Sequence, residues 1–169
     1  MRDLTFYRFR SEWILGRSRK AVFEVLRDLE GYVAWWPEIK EVHKIEEGRF
    51  DVTARALLPY ELRLRLSQSV LDEDTGVIEA DLSGHLIGFS RWTLTELSGA
   101  TVAVFEEEVT TAKRLLNLLA PIARPAFRYN HTLMMRHGHA GPRSWGHEPL
   151  SQTRRAEWRK KRGSDQLLM

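Results

Sequence analysis

The sequence predicts an α+β protein in which a curved, seven-stranded antiparallel sheet wraps on one long C-terminal helix. Seven strand-like runs separated by short turns indicate the sheet, because tight connections join neighbouring antiparallel strands. Two short helical segments after the first strand and an amphipathic segment at residues 125–141 supply the helices. A sheet of this width curls, so a helix laid against its apolar face would leave a space between the two.

The first strand covers residues 5–15, where polar and apolar side chains alternate. Ser18 can cap the helix that follows, because its hydroxyl accepts a hydrogen bond from an N–H of the first turn. Apolar residues then recur at helical spacing as far as Gly31. A second helical turn at residues 32–36 stops at Pro37, which has no N–H to donate.

Six further strands complete the predicted sheet, at residues 39–46, 49–58, 61–71, 77–83, 89–97 and 101–110. Each of them alternates between a more apolar and a more polar face. In residues 61–71, for example, Leu62, Leu64 and Leu66 share one face, as expected when only one side of a sheet is covered. Arg63 and Arg65 occupy the other face, where we expect an outer ladder of charges across the strands.

The helix predicted at residues 125–141 has an apolar face with polar and flexible residues in it. Phe127, Asn130, Met134 and Gly138 lie on this face, and His131 lies at its edge. A buried amide without a partner leaves a hydrogen bond unmade, at a cost of about 1–3 kcal/mol. Asn130 therefore either bonds a strand or a buried water, or it orients a ligand. We predict that Phe127, Asn130 and Met134 face the space between helix and sheet.

The composition is typical of one globular domain. Hydrophobic residues make up 43% of the 169 residues and charged residues 29%, which is enough for a sizeable core. There is no cysteine, which excludes disulfides, thiol nucleophiles and thiolate metal sites and suits the cytoplasm, the expected location. We find neither a secretory signal nor a run of about 18 apolar residues, so no membrane span is expected.

The positive charge of the chain is concentrated at its C-terminal end. Seven basic and three acidic residues follow residue 141, so the net charge of residues 142–169 is +4. The preceding 141 residues have a net charge of −1, which gives +3 for the whole chain. We therefore expect a domain at residues 1–141 and a basic, flexible tail at residues 142–169. The domain shows no basic surface for nucleic acid, whereas the tail could touch anionic surfaces.

Three stretches resemble the START-like superfamily, also called SRPBCC, and in particular its polyketide cyclase/dehydrase-type members. They are AVFEVLRDLEGYVAWWPEI at residues 21–39, LSGHLIGFSRWTLTE at 82–96 and PAFRYNHTLMMRHGHAG at 125–141. The resemblance covers roughly residues 5–141 and implies the helix-grip fold, with a deep cavity for a largely apolar ligand. It is unspecific for function, because the superfamily includes carriers, receptors and cyclases.

Two functions stay open on this basis, besides the weaker option of an interaction module that uses the tail. The first is binding of a small hydrophobic molecule, such as a lipid, a quinone or a polyketide-like aromatic. The second is a cyclase or dehydratase that acts in the same cavity. An oriented acid/base pair inside the cavity would distinguish the enzyme. The sequence shows no convincing pair, so we favour binding; no cofactor is expected, and the oligomeric state stays open.

Three tryptophans are candidates for ligand contact. Trp35 and Trp36 precede Pro37 and could form a lid over the cavity mouth, although such large aromatic side chains also fill protein cores. Trp92 lies in the second of the resembling stretches. Aromatic side chains are common in the walls of apolar pockets, so we place all three among the ligand-binding candidates.

Glu106, His131 and His85 are weaker candidates. Glu106 shares a strand face with Val102 and Val104 and would enter the cavity if that face were concave, although a solvated edge charge is the favoured interpretation. His131 has no carboxylate partner at helical spacing that would orient it as a general base. His85 lies in a turn that either lines the cavity mouth or is a plain surface turn.

The histidines near the C-terminus do not predict a metal site. His131, His137, His139 and His147 are close in sequence. Helical metal ligands, however, are spaced i, i+3 or i+4, whereas His137 and His139 are two residues apart and point away from each other. We therefore expect no metal ion.

Overall fold

The computed structural model describes residues 6–55, 61–111, 131–136 and 138–139. Its strands are β1 (Phe6–Leu15), β2 (Ile39–Glu46), β3 (Arg49–Ala54), β4 (Leu62–Asp72), β5 (Val77–Gly84), β6 (Leu86–Leu97) and β7 (Ala100–Thr111). Its helices are α1 (Arg19–Arg27) and α2 (Tyr32–Trp35). Residues 131–136 and 138–139 are also helical, and we refer to them as the C-terminal helical segment.

All seven strands form one antiparallel sheet in the order β1-β7-β6-β5-β4-β3-β2. Each strand from β2 to β6 pairs with the next strand along the chain, as the short connections predict. β1 instead pairs with β7, from Phe6 opposite Thr110 to Leu15 opposite Thr101. Because β1 and β2 form opposite edges of the sheet, the chain crosses its full width between them, and α1 and α2 make this crossing.

The predicted α+β architecture and the seven-stranded antiparallel sheet are confirmed. Two strands differ from their predicted bounds by three or more residues: β3 ends at Ala54 rather than at residue 58, and β6 begins at Leu86 rather than at residue 89. Leu86 already pairs with Thr111 of β7, while Gly84 still pairs with Leu64 of β4, so only His85 separates β5 from β6. The helix predicted at residues 125–141 falls mostly outside the described residues, and its described part is helical.

α1 begins after Ser18, as predicted. The Ser18 hydroxyl accepts a hydrogen bond of 3.3 Å from an N–H of the first turn. Phe23 and Leu26 are at most 1% exposed, so α1 buries an apolar stripe. The Tyr32 hydroxyl donates to the Leu26 carbonyl at 2.6 Å, which ties the start of α2 to the end of α1.

The convex face of the sheet carries ion pairs between neighbouring strands. Arg65 of β4 donates two hydrogen bonds, of 2.8 and 2.9 Å, to Asp51 of β3, so the predicted outer charge ladder is present at Arg65. Nη2 of Arg8 in β1 lies 2.6 Å from Oε1 of Glu108 in β7. Exposed pairs of this kind contribute about 0–1 kcal/mol each. Because side chains alternate along each strand, the apolar residues lie on the opposite, concave face.

Gly88 allows β6 to pass close to β7. Its φ is 155°, and a Cβ at this position would lie 1.9 Å from the carbonyl oxygen of Glu108. Residues other than glycine rarely adopt this backbone conformation. A clash of the added Cβ with the main chain cannot be relieved by rotating a side chain. Gly48 also has a positive φ, of 70°, but there the nearest atom to an added Cβ is 3.6 Å away, at ordinary contact distance.

We expect Gly88→Ala to destabilise the protein more than Gly48→Ala. Both changes place a methyl group on left-handed backbone, at a cost of about 1 kcal/mol, but only Gly88→Ala adds a main-chain clash. The expected loss for Gly88→Ala is about 2–4 kcal/mol in the free energy of unfolding. Urea unfolding followed by circular dichroism measures both variants. Equal losses would show that β6 can move away from β7 without cost.

Candidate ligand-binding cavity

A cavity of about 170 Å³ lies between the concave face of the sheet and the helices. All seven strands contribute to its walls, together with α1, α2 and the C-terminal helical segment. The aromatic residues that line it are Tyr7, Phe9, Tyr32, Trp36, Trp92 and Phe105. The polar ones are Gln68, Ser90, Glu107, Thr111 and His131. The other described lining residues are aliphatic or methionine, so the walls are mainly apolar.

One row of paired residues crosses the sheet and carries most of the polar groups. In order from β4 to β1, this central row consists of Gln68, Ala80, Ser90, Glu107 and Phe9. Directly paired residues share a face, with Cβ atoms about 4.5–5.5 Å apart, and all five line the cavity. Three of the five polar lining residues therefore lie in a single line across an otherwise apolar wall.

The central row runs between two apolar clusters. One cluster packs Trp13, Trp92 and Phe105 against α1 and α2. The other cluster contains Tyr7 and Val109 and lies farther along the same strands. The polar groups of the row consequently have apolar neighbours on both sides, which gives a small number of polar contacts in an apolar site, as is typical of ligand pockets.

Glu107 meets His131 of the C-terminal helical segment inside the cavity. Nε2 of His131 lies 3.2 Å from Oε2 of Glu107, and the two side chains are only 14% and 12% exposed. The N–H direction does not suit a hydrogen bond, and the buried Nε2 has no hydrogen-bond partner among the described residues. The contact is thus a close approach of imidazole and carboxylate, and it becomes an ion pair when His131 is protonated.

Aromatic side chains hold the imidazole of His131 in place. The ring stacks on Phe9 with 4.0 Å between centroids and 10° between planes. It also lies 5.9 Å from the Phe105 ring at 24°. Phe9 is the cross-strand partner of Glu107, and Phe105 is two residues before Glu107 on the same strand face. The same part of the sheet therefore positions both members of the Glu107–His131 pair.

Trp36 joins the end of α2 to the C-terminal helical segment. Its indole N–H donates to the Met134 carbonyl at 3.0 Å, and its ring stacks on Trp35 at 5.4 Å. Gly138 makes this approach possible. A Cβ at Gly138 would lie 2.8 Å from Cε2 of Trp36 and 3.0 Å from the Trp13 ring. The indole of Trp36 thus occupies the space that a larger residue at position 138 would need.

Tyr32 contributes shape rather than charge to the cavity wall. Burial raises the pKa of Tyr32 well above its ordinary value; a hydrogen bond with Trp92 opposes this increase, and the nearby Asp28 carboxylate adds to it. The hydroxyl therefore stays protonated and keeps its hydrogen bond to the Leu26 carbonyl.

The structure brings several of the predicted site residues to the cavity. Those that line it are Trp36, Trp92, Met134 and His131. Trp35 does not line the cavity: it is 9% exposed and belongs to the core cluster, because its ring packs between Tyr32 and Trp36. Phe127 and Asn130 lie outside the described residues, so their placement stays a prediction.

Glu106 lies on the convex face of the sheet, not in the cavity. Its carboxylate is 3.5 Å from Nε of Arg10, in agreement with the favoured interpretation as a solvated charge. The alternation of β7 cannot be read from the residues near Val102, because residues 100–103 are all buried, whichever face of the sheet they lie on. The inward positions are recognisable only farther along the strand.

His85 belongs to the sheet rather than to the cavity wall. Its N–H donates to the Arg63 carbonyl, and its Nδ1 accepts from the Arg63 N–H, both at 3.1 Å. These two bonds continue the pairing between β5 and β4 for one residue. The cavity-mouth interpretation is therefore replaced by a structural role at the hairpin.

The sequence analysis missed Glu107 and, with it, the carboxylate beside His131. Helical spacing does not reveal this partner, because the carboxylate comes from β7, which is distant in sequence. A signal was present, because Phe105 and Val109 are large apolar residues that flank Glu107 at two-residue spacing. This period places Glu107 on the apolar face.

Two further findings concern only the described part of the chain. Within it, no group of three or more His, Cys, Asp or Glu side chains could hold a metal ion. No helix in the same residues is long and apolar enough to cross a membrane. His137 and His147 lie outside these residues.

No protein-family model and no curated protein matches the sequence, but solved structures match the fold. TTHA0849 from Thermus thermophilus is 16% identical, with a TM-score of 0.65 over 79% of this chain and 95% of that one. The START superfamily protein from Mycobacterium smegmatis is 15% identical, with a TM-score of 0.57 over 76% and 95%. This chain has the START-like helix-grip fold.

The Zhui aromatase/cyclase from Streptomyces sp. R1128 shares the same START-like fold. It is 15% identical, with a TM-score of 0.66, over 80% of this chain and 90% of that one. At this identity the shared property is the fold. The START-like architecture implied by the three resembling stretches is thus confirmed, whereas the chemistry of the cavity depends on the side chains that line it here.

We expect Gly138→Leu to destabilise the START-like domain, because its side chain would collide with Trp36 and Trp13. Overpacking of this kind costs about 1–3 kcal/mol. Arg136→Leu, at an exposed position of the same helical segment, is the matched control and should change stability by less than about 0.5 kcal/mol. Urea unfolding followed by tryptophan fluorescence measures both variants. A Gly138→Leu variant as stable as the control would contradict the contact.

Proposed function

We propose that this protein binds a small hydrophobic molecule in the cavity between the sheet and the helices. The observation that carries the proposal is a mainly apolar cavity of about 170 Å³. Protein interiors are normally close-packed, and a single water needs only about 10–15 Å³ of such space. Six aromatic side chains in the walls support a ligand with a flat apolar body, because such rings pack well against one another.

The START-like fold supports a ligand of the types expected from the sequence, which are a lipid, a quinone or a polyketide-like aromatic. A protein with this fold, from Streptomyces sp. R1128, is named an aromatase/cyclase. We assign the cavity to residues 1–141 and treat residues 142–169 as a flexible basic tail that could touch anionic surfaces. The cysteine-free sequence suits a cytoplasmic protein, and that is where we place it.

We expect Ala80→Phe to abolish most ligand binding. Ala80 lies in the central row between Gln68 and Ser90, so a phenyl ring there would occupy the cavity. Asp81→Phe is the matched control, because it adds the same ring at the next residue, which is exposed on the other face. The affinity for N-phenyl-1-naphthylamine, an uncharged fluorophore, should fall at least about tenfold in Ala80→Phe, which corresponds to about 1.4 kcal/mol.

Fluorescence titration gives both affinities, and thermal unfolding confirms that both variants are folded. Equal affinities in the two variants would place the fluorophore outside the cavity and contradict the proposal. Native mass spectrometry of protein purified from its own cell extract is a second test, because it identifies a bound natural ligand by its mass. A cavity that is filled by side chains in solution would also contradict the proposal of ligand binding.

The Glu107–His131 pair favours a second function, a cyclase or dehydratase that acts in the same cavity. A carboxylate and an imidazole 3.2 Å apart can accept and return a proton, and general acid–base groups contribute about 10²–10⁴ to a rate.

A positioned base can be tested with 5-nitrobenzisoxazole, a flat and uncharged aromatic molecule. Removal of its C3 proton breaks the ring N–O bond and gives a nitrile and a phenolate, with the proton on the base. If Glu107 is the base, Glu107→Gln should lower the rate at least about tenfold, and Glu106→Gln on the convex face should leave it unchanged. An unchanged rate in Glu107→Gln would remove Glu107 from that role.

A further inference from the structure

The carboxylate of Glu107 is placed where a ligand would meet it. Glu107 lines the cavity, and 12% of its side chain is exposed, so the carboxylate can be reached from inside the cavity. Ser90, directly opposite on β6, also lines the cavity. Around these two residues the wall is apolar, with Phe105 and Val109 on the same strand face. A ligand in the cavity therefore finds one strong hydrogen-bond acceptor on the β7 side.

The charge of the cavity wall is the second observation. Among the described lining residues there is no lysine and no arginine, and His131 is the single side chain that can become positive. His131 already lies against Glu107, at 3.2 Å. A ligand carboxylate or phosphate would therefore approach a negative side chain in an apolar site, where like charges repel strongly. The described wall suits an uncharged ligand and disfavours an anion.

Hydrogen-bond chemistry then selects the polar group of the ligand. An ionised carboxylate only accepts hydrogen bonds, so it requires a donor, and a hydroxyl on an apolar body supplies one. His131 does not reach the ligand through Nε2, because this atom is buried. It acts as a positioning residue, stacked on Phe9, that stays beside the carboxylate and compensates its charge when protonated.

We propose that Glu107 is the recognition residue for a hydroxyl group on an uncharged, mostly apolar ligand, and that the same carboxylate excludes anionic ligands such as fatty acids. The proposal rests on the proposed ligand-binding function and adds the chemical class of the ligand. The hydroxyl donates to Glu107, and the body of the ligand lies along the apolar part of the wall.

Three molecules with the same ring system test this recognition: 2-naphthol, naphthalene and 2-naphthoate. Equilibrium dialysis against the full-length protein at neutral pH gives their affinities. A hydrogen bond to a charged group favours 2-naphthol over naphthalene by about ten- to hundredfold. We expect 2-naphthoate to bind at least about tenfold more weakly than 2-naphthol, because its charge faces Glu107.

Two substitutions assign these preferences to Glu107. Glu107→Leu removes the acceptor, so 2-naphthol and naphthalene should bind with equal affinity. Glu107→Gln keeps a neutral acceptor and removes the charge, so binding of 2-naphthoate should improve at least about tenfold. Glu106→Gln is the matched control on the convex face and should leave all three affinities unchanged. If Glu107→Leu does not fold, Glu107→Gln alone decides the outcome.

The results separate this inference from the proposed function. If 2-naphthol and naphthalene bind the native protein equally well, Glu107 recognition is wrong and hydrophobic binding stands. The same conclusion follows if Glu107→Gln leaves the affinity for 2-naphthoate unchanged. If none of the three molecules binds, both the recognition and the hydrophobic-ligand function are overturned.

Discussion

The pairing register of β1, β7 and β6 is the constraint on which the cavity depends. Side chains along a strand alternate between faces, so a slip of one residue would exchange the two faces. In the observed register Glu107 enters the cavity opposite Phe9 and Ser90, whereas Glu106 and Glu108 meet arginines of β1 outside. The outer ion pairs are weak individually, yet they agree with a register that keeps two of the three carboxylates in water.

The third carboxylate is retained in the cavity at an energetic cost. Taking a charged group out of water is unfavourable unless a partner compensates it, and His131 is the partner that the fold supplies. Well-packed apolar residues are often at least as stabilising as a buried ion pair. Stability therefore gives little reason for Glu107 to be there, and the placement is better explained by contact with a ligand or with a reacting proton.

The aromatic residues around Trp36 make the cavity a rigid one. The indole of Trp36 is bonded to Met134 and packed close to Gly138, so α2 and the C-terminal helical segment are held together at a defined distance. Trp13 and Trp92 continue the contact towards the sheet, with 4.7 Å between their ring centroids. Walls that are already fixed lose little conformational freedom when a ligand binds, which favours affinity.

The sequence by itself determined the order of elements, the antiparallel sheet and the capped first helix, because alternation, helical spacing and turn residues are local properties. It also predicted four site residues that line the cavity, although their neighbours are known only from the structure. They are Trp36, Trp92, Met134 and His131. The spacing of Phe105 and Val109 around Glu107 was readable in the sequence, but only the tertiary structure decided that this face of β7 is the concave one and that His131 has a carboxylate beside it. These facts depend on strand register and on contacts between residues distant in sequence, and local periodicity does not encode either of them.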